Sequence, residues 1–316
     1  SSATAGLHLT CMALGIGSGD LVWTSPLSFA ASANCALYVG AEVDFVDIDT
    51  DTGNISIAAL RAKLEAAEAA GRLPTCVIAV HFSGRACDME GLHALKTRYR
   101  FRLIEDAAHA LGGAYANGKP VGSFAATDAT VFSFHPVKPI TTGEGGMVVT
   151  FDAEIADRVR MLRTHGITRN TALLHKKDMP AWYYEQQSLG FNYRMTDMQA
   201  ALGASQLGKL DRFMTQRRAW AERYREILAG LPLILPPPDA SSAWHLYVVQ
   251  VDAARARSTR DTLFTQLREK QIGVNVHYIP IHVHPYYRDL GFTQGQFPRA
   301  EAFFSQCLSL PLHQRM

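Results

Sequence analysis

No stretch of about 18 consecutive apolar residues occurs in the chain, which argues against a membrane-spanning helix. An excess of charge of one sign is also lacking. Thirty-one basic residues face 29 acidic ones for a formal net charge of +2, so the balance calls for neither nucleic acid nor an anionic membrane as partner. An anionic small molecule stays possible, because a site can be locally basic on a near-neutral protein. Cysteine is sparse and poorly spaced. Cys11, Cys35, Cys76, Cys87 and Cys307 are odd in number and follow neither zinc-site nor disulfide spacing, which fits reduced thiols in a cytoplasmic compartment. There is no internal repeat and no low-complexity tract. An initiating methionine is missing too: Ser1 runs straight into helix-like sequence and Gln314-Arg315-Met316 follows an apolar run, so the chain reads as a piece of a longer protein.

What is present is ordinary globular sequence. The 316 residues are 47% hydrophobic and 19% charged, enough for one large domain and a smaller one. As far as about residue 165, short apolar runs alternate with helical patterns. Strands are expected at 43–47, 76–80, 102–106, 131–134 and 147–150, and helices at 57–70 and 89–99. That alternation predicts an α/β fold, a largely parallel sheet covered by helices, with ligands gathering at the carboxyl ends of the strands. Residues 196–229 read as long helices. Pro232, Pro236, Pro237 and Pro238 then break the chain. A strand at 244–251, a helix at 260–270 and a strand at 273–277 make a small α+β domain, which divides the chain into 1–229 and 230–316.

Several residues in this frame could carry chemistry. Lys138 lies between two strands, in Ser133-Phe134-His135-Pro136-Val137-Lys138-Pro139, with Gly143-Glu144-Gly145-Gly146 following. Burial lowers a lysine pKa, and a neutral amine attacks an aldehyde, which is how a Schiff-base lysine is made; the plain alternative is a lysine at a loop tip. Asp106 ends the strand Leu103-Ile104-Glu105-Asp106. A carboxylate there could keep a pyridine nitrogen protonated, so that the ring draws electrons from a substrate carbanion, or it could cap the next element. Ser1-Ser2-Ala3-Thr4-Ala5-Gly6 opens an apolar helical run, where free amides make an anion site suited to phosphate, or serve a plain N-cap. Phe29 could lie against a flat ring or belong to the core. Ser133 could donate to a phosphate oxygen or bond the backbone. Each signal is modest alone; their order along the chain is far more specific.

Four stretches carry a family resemblance: Ser1-Ser2-Ala3-Thr4-Ala5-Gly6-Leu7-His8-Leu9, Ile104-Glu105-Asp106-Ala107-Ala108-His109-Ala110-Leu111-Gly112, Phe132-Ser133-Phe134-His135-Pro136-Val137-Lys138, and Leu189-Gly190-Phe191-Asn192-Tyr193-Arg194-Met195-Thr196-Asp197. The chain resembles the sugar-nucleotide aminotransferases of the DegT/DnrJ/EryC1/StrS type, across essentially its whole length. The resemblance implies a fold-type I enzyme with a mostly parallel seven-stranded sheet, dependent on pyridoxal 5′-phosphate and working by ping-pong transfer. It implies that Thr4, Ala5 and Ser133 hold the phosphate, that Phe29 stacks on the ring, that Asp106 pairs with the ring nitrogen and that Lys138 forms the Schiff base. His109 stands beside the ring oxygen, where many relatives have glutamine. The resemblance also implies that Asn192 reaches the phosphate of a neighbouring subunit, and hence a homodimer with shared sites. Some relatives replace the lysine with histidine and are dehydratases; here the lysine is present.

Asn275-Val276-His277-Tyr278-Ile279-Pro280-Ile281-His282 and the stretch around Lys138 are similar to the pseudaminic-acid branch of that family. That branch takes an amino group from L-glutamate to C4 of UDP-2-acetamido-2,6-dideoxy-β-L-arabino-hex-4-ulose, giving UDP-4-amino-4,6-dideoxy-N-acetyl-β-L-altrosamine; another 4-keto or 3-keto nucleotide sugar is the alternative substrate. Arg163, His165 and Arg169 could meet the diphosphate, and His277, Tyr278 and His282 could line the sugar pocket. Two readings from other classes compete. A metal hydrolase would use His277, His282 and His284, whose spacing matches no helical ligand pair and which have no acidic neighbour in sequence. A non-catalytic protein on the same fold could dispense with Lys138 or Asp106, and both are present.

Overall fold

The computed structural model describes residues 1–316. Its centre is a six-stranded sheet in the order β2-β1-β3-β4-β5-β6, built from β1 (Leu21–Thr24), β2 (Glu42–Phe45), β3 (Cys76–Val80), β4 (Arg102–Asp106), β5 (Ala129–Ser133) and β6 (Gly146–Val149). Five strands run parallel and β6 runs antiparallel to β5. β3 and β5 are buried along their whole length and β4 all but its first residue, because helices cover both faces, and their sequences are correspondingly continuous apolar runs. The resemblance implies seven strands, and six form. The sheet ends at β6, whose outer edge no segment of this chain joins; after it the chain turns at Asp152, whose carboxylate caps the next helix.

Helices α1 (Ala3–Ala13), α2 (Ala31–Tyr38), α3 (Ile57–Ala69), α4 (Met89–Tyr99) and α5 (Ala153–Leu162) belong to this layer. Ser2, Ser56, Asp88 and Asp152 each accept a first-turn amide, which fixes where four of them start. β7 (Ile167–Thr168) and β8 (Glu185–Gln186) form a short hairpin, followed by α6 (Asp197–Leu207), α7 (Leu210–Leu228) and the edge strand β9 (Leu233–Ile234). Thr196 and Gln199 form a capping box at the start of α6.

A second, antiparallel sheet has the order β11-β10-β9, from β10 (Tyr247–Val251) and β11 (Cys307–Leu310), with α8 (Arg260–Glu269), α9 (Pro285–Asp289) and α10 (Pro298–Gln306) around it. Two expectations change here. The strand beginning at 244 begins at Tyr247, since Trp244 has φ 43°, outside the strand region. No strand forms at 273–277. Asn275 makes a single bridge to Ser309, on the edge of β11 away from β10, and its own side chain takes the next amide, Val276 N–H, out of any ladder. The two layers share core: Tyr287, Phe297, Phe303 and Cys307 pack in one cluster with Phe45, Val22 and Leu7. No helix is long and apolar enough to cross a membrane.

Candidate active site

The carboxyl ends of β1, β3, β4 and β5 all open on one side of the sheet, and a cavity of about 300 Å³ lies there, at the lower end of the range for small-molecule sites. The turn after β1 brings Phe29, β3 ends in Val80, β4 ends in Asp106 and β5 ends in Ser133. Thr4, from the first turn of α1, and Lys138, from the loop between β5 and β6, complete the wall. The amides of Ala3 and Thr4 belong to the open donors of that first turn.

Lys138 is largely buried. Loss of hydration lowers its amine to about 8, against an opposing pull from the Asp106 carboxylate. Asp106 is held in place by Ser32 Oγ, which donates to Oδ2 at 2.6 Å, and by Ala108 N–H, which donates to Oδ1 at 3.1 Å. Ser28 Oγ lies 2.7 Å from Ser32 Oγ and extends the chain of hydroxyls towards Phe29. Phe29 is 62% exposed; a core phenylalanine would not be, so its ring is available to a flat ligand at the cavity mouth.

His109 is buried and accepts Ser83 N–H at Nδ1 (3.3 Å). That bond leaves the proton on Nε2, which lies 3.0 Å from Tyr278 Oη. Burial, with Lys138 and His277 nearby, holds His109 well below the usual imidazole range, so it is neutral. Tyr278 lines the cavity, and burial with the Asp106 charge raises its phenol.

Thr4, Phe29, Asp106, His109, Ser133 and Lys138 are therefore brought together. Ala5 is not: it is buried away from the cavity, and its amide is taken by the Ser2 cap. Asn192 also lies elsewhere, exposed and bridged to Thr164. Arg163 lines a separate groove beside Tyr193, and neither His165 nor Arg169 borders the cavity. His282 is fully buried against Phe45 and Phe297 with Nε2 bonded to Glu301, and is a core residue rather than a pocket one. His277 Nδ1 pairs with Ser309 Oγ and His284 precedes α9, so these three histidines do not converge. Two residues were not foreseen. Ser32 sits on a helix of small residues with no signal in its spacing. His245, on the loop before β10, places Nε2 3.5 Å from Lys138 Nζ although 107 residues separate them.

A mainly parallel sheet with its ligand cavity at the strand ends, walled by a buried amine, a strand-end carboxylate and a helix N-terminus, is the architecture of fold-type I pyridoxal-phosphate enzymes, and here specifically of sugar aminotransferases. The chain belongs to the DegT/DnrJ/EryC1/StrS aminotransferase family, which it matches over residues 1–316. It is 41% identical to the spore coat polysaccharide biosynthesis protein SpsC of Bacillus subtilis, over 100% of this chain and 80% of that protein. Among solved structures it resembles Helicobacter pylori PseC, an aminotransferase involved in the biosynthesis of pseudoaminic acid (33% identity, TM-score 0.87, 99% of this chain and 80% of that one). It also resembles the putative sugar aminotransferase Spr1654 of Streptococcus pneumoniae in its PMP form (29% identity, TM-score 0.89, 100% and 82%). Family members are dependent on pyridoxal phosphate, and the residues around this cavity suit it: an anion-binding helix start, an exposed aromatic face, a fixed carboxylate and an amine whose pKa is lowered by burial.

Proposed function

We propose that this protein transfers an amino group from L-glutamate to C4 of a UDP-linked 4-keto-6-deoxy-N-acetylhexosamine of L-arabino configuration. The observation that carries the transamination is the meeting of Lys138 and Asp106 in one cavity under an exposed Phe29. The likeness to PseC and the sequence around His277 and Tyr278 support the sugar.

In this reading Thr4, Ser133 and the first-turn amides of α1 grip the phosphate, Phe29 stacks on the ring and Asp106 faces the pyridine nitrogen. Pyridoxal phosphate, when bound, supplies an electron sink for the carbanion at the donor's α-carbon. Lys138 Nζ takes the α-proton of the donor and later returns a proton to C4 of the acceptor, a general base that becomes a general acid. Its lowered pKa keeps a useful fraction of free amine at neutral pH. His109 and Tyr278 fix the floor of the pocket beside the ring oxygen. Residues 1–229 form the cofactor-binding part and 230–316 the smaller part. A second copy of the chain covers α6 and brings its Asn192 to this phosphate site. The buried, unpaired thiols accord with a reducing compartment.

Replacing Lys138 with alanine should abolish amino transfer and the visible absorbance of the loaded enzyme; continued cycling between donor and acceptor would refute the role. The sugar is tested by comparing turnover on two C5-epimeric UDP-4-keto sugars with glutamate as donor. Preference for the L-arabino epimer is expected, and equal or reversed preference removes the assignment. The identity to SpsC, higher than that to PseC, supports a second reading, a different 4-keto or 3-keto nucleotide sugar destined for a polysaccharide. The same assay extended to 3-keto acceptors separates the two.

A further inference from the structure

His245 is held with unusual thoroughness. Buried Arg217 donates from Nη1 to the carbonyls of Trp244 (3.1 Å), His245 (3.4 Å) and Leu312 (3.1 Å). From the other side, Ser83 Oγ donates to Leu246 O at 2.7 Å, Leu246 N–H to Ser83 O and Ala243 N–H to Gly84 O. Gly84 has φ 102°, and a Cβ there would stand 2.9 Å from Trp244 N and 3.0 Å from His245 N, so this loop lies directly on the turn after β3. Trp244 itself takes up a left-handed conformation to fit. The imidazole that results is 6% exposed, rests on the His109 ring (centroids 4.5 Å apart) and leaves Nδ1 without any partner. A buried polar atom without a partner is costly. The nitrogen on the other side of the ring points at Lys138 Nζ.

We propose that His245 is a positioning residue for Lys138: its Nε2 accepts a hydrogen bond from the lysine amine and tethers that amine to the inner wall of the cavity whenever it is not bonded to cofactor. The proposal rests on Lys138 being the cofactor lysine. The neighbouring imidazoles are engaged differently. His109 is spent on Ser83 and Tyr278, and His277 Nδ1 pairs with Ser309 Oγ. The groups facing Lys138 are thus Asp106 from β4, His109 just beyond it, His277 and Tyr278 from the segment after α8, and His245. Burial, followed by the charges of its basic neighbours, keeps His245 well below the ordinary imidazole range, so it meets the amine as a neutral acceptor. A neutral acceptor favours the charged amine. Asp106 and His245 therefore pull in the same direction, against burial, and the lysine is left poised rather than permanently neutral. Sequence spacing gives no hint of this pair; only the fastening of the 241–246 loop to β3 and α7 creates it.

The test reads Lys138 itself, in cofactor-free protein with no donor or sugar, and so stands apart from the sugar assignment. Competitive labelling of lysine amines across pH, quantified for Lys138 by mass spectrometry, gives its titration midpoint in wild type, His245→Phe and His245→Gln. Loss of the acceptor in His245→Phe should lower the midpoint by about one pH unit, and the glutamine carbonyl should restore most of it. An unchanged midpoint in His245→Phe, or an equal fall in both variants, overturns the proposal. Should the phenylalanine variant not fold, imidazole nitrogen spectra of wild type and Lys138→Met decide instead. The His245 resonance is expected to move when the amine is removed, and a resonance that stays put overturns the tether. Replacement that merely loosened packing would hydrate the amine and raise its midpoint, the opposite of the expected fall.

Discussion

At the scale of single residues, Lys138 is stored at a cost. Its folded pKa of about 8 lies below the roughly 10.4 of an unfolded lysine, so between these values the unfolded chain binds more protons and stability rises with pH. Below about pH 8 the penalty is present in full. Lys138→Met should therefore stabilise cofactor-free protein by about 1–2 kcal/mol near pH 7, a value discounted for the amine's partial exposure, with the advantage shrinking as pH approaches 10. Urea unfolding at pH 7 and pH 10 checks this; a methionine variant less stable than wild type at pH 7 contradicts it. The placement of Asp106 and Lys138 at the cavity was legible in the sequence because Asp106 ends one strand and Lys138 follows another, and those strands are set by local pattern, whereas Phe29 follows a strand that the pattern did not show and rested on the family resemblance. His245 and Ser32 were not legible. They act through contacts across 107 and 74 residues of chain, and no local rule encodes those distances.

At the scale of elements, β4 carries two carboxylates in succession that point to opposite faces, as strand geometry requires. Asp106 faces the cavity. Glu105 faces the core, where His81 Nε2 (2.7 Å), Tyr115 Oη (2.8 Å) and Thr130 Oγ1 (3.0 Å) surround it. Burial pushes the Glu105 carboxyl up, and its hydrogen bonds outweigh this and hold it below the ordinary value. The pairing therefore stabilises the fold above about pH 4 and is lost as pH falls through the folded pKa. Glu105→Ala should cost about 3–5 kcal/mol by stranding three buried partners, measured by chemical denaturation; a loss below 1 kcal/mol at pH 7 argues that the network is dispensable. The start of α1 is set by another close approach. A Cβ on Gly146 would stand 2.5 Å from the Ser2 carbonyl carbon and 2.6 Å from Ala3 N. Gly146→Ala should push the helix N-terminus off the phosphate site and cut pyridoxal-phosphate affinity at least about tenfold, with about 1–3 kcal/mol of overpacking strain. Fluorescence titration reads the affinity, and unchanged binding excludes that route. Most elements were legible as well, β3, β4 and α4 to the residue, because their apolar patterns and caps are local. β1 has only four residues and α2 is rich in small side chains with little contrast between faces, which explains why neither registered. The strand expected at 273–277 stopped at one bridge for a local reason, the Asn275 side chain accepting the Val276 amide.

At the scale of the whole molecule, α6 stands out because it combines the lack of any buried residue with Met198, Leu202 and Leu207 at 83%, 43% and 53% exposure. An apolar helix without a partner of its own calls for one from another chain. In the proposed dimer, wild type is expected to sediment as two copies and a Met198→Glu, Leu202→Glu double variant as one, with loss of most cofactor affinity if Asn192 is supplied across the interface. A wild type that is monomeric at micromolar concentration removes the shared-site reading. The cavity wall, for its part, draws on residues as far apart as Ser2 and Tyr278. During synthesis no earlier intermediate has the whole pocket, so vitamin capture reports that the last third of the chain has docked. The ligand then locks that finished arrangement by mass action, which makes it an inspector of completed folding as well as a reagent.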